Sequence, residues 1–186
     1  GTLLLIALIT YSPEDPNYIF PDNTEIKNLL GFQGSFISDL FFQSVGLISY
    51  LISFTFIFTG INIFRLKEFF LMIENIFFTI IYCVFGTLFF SYFYADAFAL
   101  YINGNGGFVG NYFNQTFLNS LVKTQETISY YILIFLIFIL FLVSINFKPI
   151  QFYASFLKIF NFLFKKEENN YTDKSEIIKE YIPQDE

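Results

Sequence analysis

Uncharged runs about twenty residues long alternate with polar connectors along this chain. Residues 45–64 (VGLISYLISFTFIFTGINIF) carry no charge and would rise about 30 Å as an α-helix, the hydrocarbon thickness of a bilayer. Residues 76–94 and 128–147 repeat the pattern. The apolar opening run, residues 2–10, would rise only about 14 Å, too short to cross. No basic residue precedes it, so it is a poor signal peptide. It reads as the carboxyl end of a first span whose start lies upstream. The expected fold is therefore all-α and membrane-embedded: a four-helix transmembrane bundle with a truncated first helix (1–11), then spans at 45–64, 76–94 and 128–147.

The connectors differ in character. Tyr11-Ser12-Pro13-Glu14-Asp15-Pro16 ends the first helix abruptly and forces a turn. Residues 35–43 lead into the second span. Joined to it they would give a helix of about 45 Å, which outruns the hydrocarbon, so Asp39 and Gln43 belong at or above the headgroups. The short linker at Arg65-Leu66-Lys67-Glu68 makes the second and third spans an antiparallel hairpin. Gly46, Ser49, Ser53 and Gly60 recur at helical spacing in one, and Thr79, Cys83, Thr87 and Ser91 in the other. Such small faces let membrane helices approach closely. Helix packing is favoured over a polar pore, because no ionisable residue sits at the centre. Glu74, near Lys67 and Arg65, is expected to pair with those bases at the membrane surface rather than to bind an ion.

Beyond the third span, a glycine cluster (Asn103-Gly104-Asn105-Gly106-Gly107) precedes Val109, Tyr112, Phe113, Thr116, Phe117 and Leu121. Their steps of three and four predict one amphipathic helix lying on the outer membrane surface or covering the bundle. The fourth span has almost no small residue before Ser144 and is expected at the periphery. Residues 148–166 place Phe152, Tyr153, Phe156, Phe160 and Phe164 on one face with Lys158, Lys165 and Lys166 nearby, as an interfacial amphipathic helix. Residues 167–186 are polar and acidic and read as the start of a disordered linker.

Composition narrows the function. Hydrophobic residues make up 55% of the 186 and charged ones 14%, unlike a soluble domain. The chain has no His and a single cysteine, Cys83, so the commonest general base and any intrachain disulfide are absent. The net charge of −6 is concentrated in the last twenty residues. Arg65, Lys67, Lys148, Lys158, Lys165 and Lys166 fall on one side of the predicted membrane, and only Lys27 and Lys123 on the other. This puts both termini in the cytoplasm and the two longer loops outside. No G-x-x-x-x-G-K-[ST] occurs, and the glycine cluster lacks the strand and the Lys-Ser/Thr of a phosphate loop. Asn114-Gln115-Thr116 has the form of a glycosylation sequon, relevant only in a secretory-pathway protein.

Several of these stretches resemble one family. Tyr11-Ser12-Pro13-x-Asp15-Pro16 after a first span, Asn28-Leu29-Leu30-Gly31, then Asp39, Gln43 and Gly46, then Gly106-Gly107-x-x-Gly110 are similar, in order and spacing, to the amino-terminal membrane domain of FtsK/SpoIIIE DNA translocases. Phe and Ile stand where such domains are often rich in Leu and Ala. The resemblance implies a multi-pass anchor in the bacterial inner membrane at the division septum, oligomeric and in contact with other divisome membrane proteins. It also implies a motor elsewhere in the parent that uses ATP and Mg and pumps double-stranded DNA. No cofactor, catalytic residue or metal ligand is expected in these residues themselves. The alternatives are a small four-span transporter, channel or divisome accessory subunit, and an integral membrane enzyme, the poorest of the readings since no catalytic cluster is present. The external loops are read either as partner surfaces or as caps over the bundle.

Overall fold

The computed structural model describes residues 1–16, 25–67, 69–95 and 103–150, with 153, 157, 160 and 164. Regular structure among them is helical: α1 (Thr2–Ile9), α2 (Gly31–Val45), a 3-10 turn at Gly46–Ile48, α3 (Ser49–Leu66), α4 (Phe70–Phe93), α5 (Gly107–Asn114), α6 (Phe117–Thr124) and α7 (Glu126–Ser144). The chain divides into two compact units, Gly1–Phe147 and Lys148–Glu186. In the second, Pro149, Ile150, Tyr153, Leu157, Phe160 and Phe164 are helical. The rings of Phe160 and Phe164 lie 4.4 Å apart. These positions fall within the helix expected at 148–166, whereas the tail expected at 167–186 lies outside the described residues.

Three stretches are long and apolar enough to cross a membrane: Gly31–Leu66, Phe70–Phe93 and Glu126–Ser144. The crossing expected at residues 1–11 is represented by α1, eight residues and about 12 Å. The first stretch is not one rod. At 36 residues a straight helix would rise about 54 Å, nearly twice the hydrocarbon. The backbone breaks at Gly46, whose φ of 65° and ψ of −144° end α2. A positive φ costs glycine little and costs any residue with a Cβ more. The 3-10 turn and α3 together then measure about 30 Å, enough to cross alone. α2, with Asp39, is a separate helix on the other side of the break.

α4 is the central helix, packed on α3, α5 and α7. Its inward face carries Asn75, Thr79, Tyr82, Cys83, Gly86, Thr87 and Ser91, all buried. Ile48, Ile52, Tyr82 and Cys83 form one core cluster. Leu88, Phe89, Val122 and Leu133 form a second, joined by Phe113, Leu118 and Tyr130. α7 buries only Leu133 and Ser144 of its own residues, which makes it peripheral.

Three expectations need correction. α4 begins at Phe70 rather than at residue 76, so Glu74 and Asn75 lie in its first two turns. Asn75 is buried there and Glu74 exposed. Glu74 forms no ion pair with Arg65 or Lys67; among the described residues the salt bridge is Lys27–Glu14. The left-handed turn at Lys67 (φ 57°) ends α3 there, so Arg65 and Lys67 lie at the close of one helix and Glu74 lies on the next. Finally, the single helix expected across 109–121 is two. Thr116, extended at φ −95° and ψ 178°, caps α6 by accepting a hydrogen bond from the Leu118 N–H. Its hydroxyl gives the backbone an alternative to the next helical turn.

Candidate functional site

The turn after α1 folds back onto that helix and locks it to α2. The Asp15 N–H donates to the Ser12 carbonyl across Pro13 (3.2 Å). The buried Asp15 carboxylate accepts from the backbone N–H groups of Lys27 and Asn28, both at 2.8 Å. Asn28, also buried, donates its amide to the Ala7 carbonyl (2.9 Å) and accepts from the Leu30 N–H (3.1 Å). Its own carbonyl accepts from the N–H of Gly31. The Leu29 N–H reaches the Thr10 hydroxyl, and the Ser35 hydroxyl donates to the Pro16 carbonyl. Tyr11 completes the joint. Its hydroxyl donates to Asp39 (3.1 Å), and its ring lies edge-on to Phe42 at 4.8 Å. On the exposed rim Lys27 pairs with Glu14. That hydrogen bond holds the Glu14 carboxyl below its ordinary pKa and Lys27 above its own. Such an exposed pair adds little to stability.

A second joint closes around Gly46. The Leu47 N–H donates to the Asn105 carbonyl at 2.9 Å. Side chains of Asn103 and Asn111 continue the contact. The Asn103 amide donates to Gln43 (Oε1, 3.0 Å), Asn111 donates to the Asn103 carbonyl (2.8 Å), and Ser91 donates to Asn111 (3.1 Å). Asn105, fully buried, donates to the carbonyls of Tyr94 and Ala95. The glycines decide how close the elements come. A methyl at Gly107, itself at φ 64°, would lie 2.6 Å from the Gly46 nitrogen; one at Gly106 would lie 2.6 Å from the Thr87 carbonyl. A methyl at Gly46 or Gly110 would overlap the Asn105 or Thr87 carbonyl. Atoms in contact sit about 3.5–4.0 Å apart, so none of these positions has room for a side chain. With Gln43 bonded to Asp39 through its amide (3.5 Å), the two joints are continuous through α2.

A third group of polar side chains ties α3, α4 and the end of α7 together. Thr55 bonds the hydroxyls of Tyr82 (2.9 Å) and Ser144 (3.2 Å). Asn75 donates to Thr59 (2.7 Å) and accepts from Asn146. Asn62 donates to the Ile145 carbonyl (3.0 Å). The polar groups of this third set have partners within the fold, as buried ones need away from water.

Set against known families, residues 1–157 match the 4TM region of DNA translocase FtsK/SpoIIIE. The chain belongs to this family. No curated protein and no solved structure matches it. In this FtsK/SpoIIIE membrane region the family-like residues gather at two places. Tyr11, Ser12, Pro13, Asp15, Pro16, Asn28, Leu30 and Gly31 meet at the first joint, as does Leu29 through its backbone, although its side chain is exposed. Gln43, Gly46, Gly106, Gly107 and Gly110 meet at the second, and Asp39 lies between them. Of the small-residue stripe, Ser49, Ser53, Thr79, Cys83, Thr87 and Ser91 are buried. Ser53, Thr79 and Thr87 donate within their own helices, and Ser49 to the Gly46 carbonyl of the adjoining 3-10 turn, rather than across to the next helix. Gly60 stands apart, since a methyl there would meet nothing within 4 Å. Ser91 of the stripe does bond across, to Asn111 of α5; the hydroxyls and amides that tie α3, α4 and the end of α7 together, Thr55, Thr59, Asn62, Tyr82 and Asn146, are ones the stripe did not include. Their signal is a polar residue recurring about every turn inside an apolar span, Thr55, Thr59 and Asn62, opposite Asn75.

Proposed function

We propose that this chain is the anchoring and assembly region of a septal DNA translocase, held in the bacterial inner membrane. In this reading it takes the four-span topology of its family, with both ends in the cytoplasm. It self-associates and engages other membrane proteins of the division apparatus. ATP, Mg and double-stranded DNA belong to the motor of the parent, and no chemistry is assigned to these residues. The observation that carries the reading is the family match over residues 1–157. It is supported by the joining of both loops through Asp39 and Gln43, which suits a fixed docking platform better than a moving gate. The basic residues on the side of Arg65 and Lys67 support the orientation.

A fusion of the chain to a fluorescent protein, expressed in dividing rod-shaped bacteria, tests this. The expected outcome is a band at midcell that appears with constriction. Uniform labelling of the cell periphery at every stage would overturn the septal assignment while leaving membrane insertion intact.

A further inference from the structure

α5 and α6 do not stand above the bundle; they run beside the last turns of α4 and the first turns of α7. Leu118 and Val122 pack with Leu88, Phe89 and Leu133. Leu88 lies about 8 Å below the end of α4, and Leu133 about 10 Å below the start of α7. α4 rises about 36 Å, only slightly more than the hydrocarbon core, so these depths fall beneath the headgroups. The other side of the pair exposes Phe108, Tyr112, Phe117 and Leu121, each at least 60% accessible. These lie at i, i+4 on each helix. Residues 107–124 include one charge, Lys123, in the last turn of α6, from where its stem can reach the headgroups. At the same level α7 turns Tyr131 and Ile132 outward, on a helix that buries only Leu133 and Ser144.

We propose that α5 and α6 are embedded in the bilayer leaflet beside the bundle, with Phe108, Tyr112, Phe117 and Leu121 in contact with the upper acyl chains. The pair thereby widens the protein in that leaflet. Continuity with the lipid-facing side of α7 and the shared depth identify the occupant of this face as lipid. An amphipathic helix at this level buries its apolar side about 5–10 Å into the boundary.

The absence of tryptophan from the chain makes the test direct. Phe117→Trp and Tyr112→Trp each introduce a single reporter at an exposed position, with Tyr131→Trp as the lipid-facing standard. The full chain is reconstituted in vesicles of phosphatidylethanolamine and phosphatidylglycerol, with and without brominated acyl chains. The expected result is blue-shifted emission at both sites, quenched by the brominated lipid to the same fraction as the standard and unaffected by aqueous iodide. Red-shifted emission quenched by iodide alone would place the pair in water and overturn the proposal. Blue emission untouched by brominated lipid, turning red on dilution with more lipid, would give the face to a second copy of the chain and overturn it equally.

Discussion

The two ends of α4 are held by opposite chemistry. Around Thr87 and Ser91 the helix meets the glycines of α5 and the turn at Gly46, where backbone touches backbone with no room for a methyl. Around Asn75 it is held by amides and hydroxyls reaching from α3 and from the turn after α7. The first contact is broken by adding atoms, the second by removing them. Both serve a membrane environment in which apolar burial gives little preference for one helix over lipid. Close approach and interhelical hydrogen bonding then carry the association.

The sharpest way to break the comparison is Gly107→Ala. It combines a left-handed backbone with a methyl 2.6 Å from the Gly46 nitrogen. The left-handed conformation costs a residue with a Cβ roughly 1–2 kcal/mol, and overpacking adds roughly 1–3. A loss of about 3 kcal/mol is expected, read as a fall in the thermal midpoint of the detergent-solubilised chain. An unchanged midpoint would mean that the glycine contact is not made. Next comes Asn75→Ala, which deletes the bonds to Thr59 and Asn146. Interhelical bonds in membranes average about 0.6 kcal/mol each, so the expected loss is about 1 kcal/mol. If this variant proved the more damaging of the two, the ranking of steric over polar closure would be reversed. The smallest effect belongs to Gly60→Ala. With open space around it, alanine should be neutral or stabilise the helix by up to about 1 kcal/mol. A clear loss of stability in the same melt would show that Gly60 is covered by something outside this chain.

How much of this was legible in the sequence depends on the kind of interaction. The apolar runs of α3, α4 and α7 could be read directly, because a helix must match a bilayer in length. The break at Gly46 was anticipated only indirectly, from the excess length that placed Asp39 at the surface. Helix limits shifted most where a turn needs no proline or glycine, as at Lys67, so α4 starts six residues before its expected position. The stripe of small residues was visible as a pattern. What each member does was not, since Ser53 and Thr87 satisfy their hydroxyls on their own backbone. The network of Thr55, Tyr82, Ser144, Asn75 and Asn146 escaped notice because the recurrence of Thr55, Thr59 and Asn62 does not say which partners, up to 89 residues away in the chain, they meet. The amphipathic pattern at 109–121 marks the large side chains, so it did not show which residues of α5 meet the bundle. In α5 the bundle is met by Gly107 and Gly110 instead, and Phe108 and Tyr112 are left facing outward.

The end of α7 has a mechanical consequence. The chain leaves the helix through Ile145 and a left-handed Asn146, and at that point it is moored twice, to Asn62 of α3 and to Asn75 of α4. Tension applied at Phe147 would therefore be shared among three helices before the last turn of α7 could peel away.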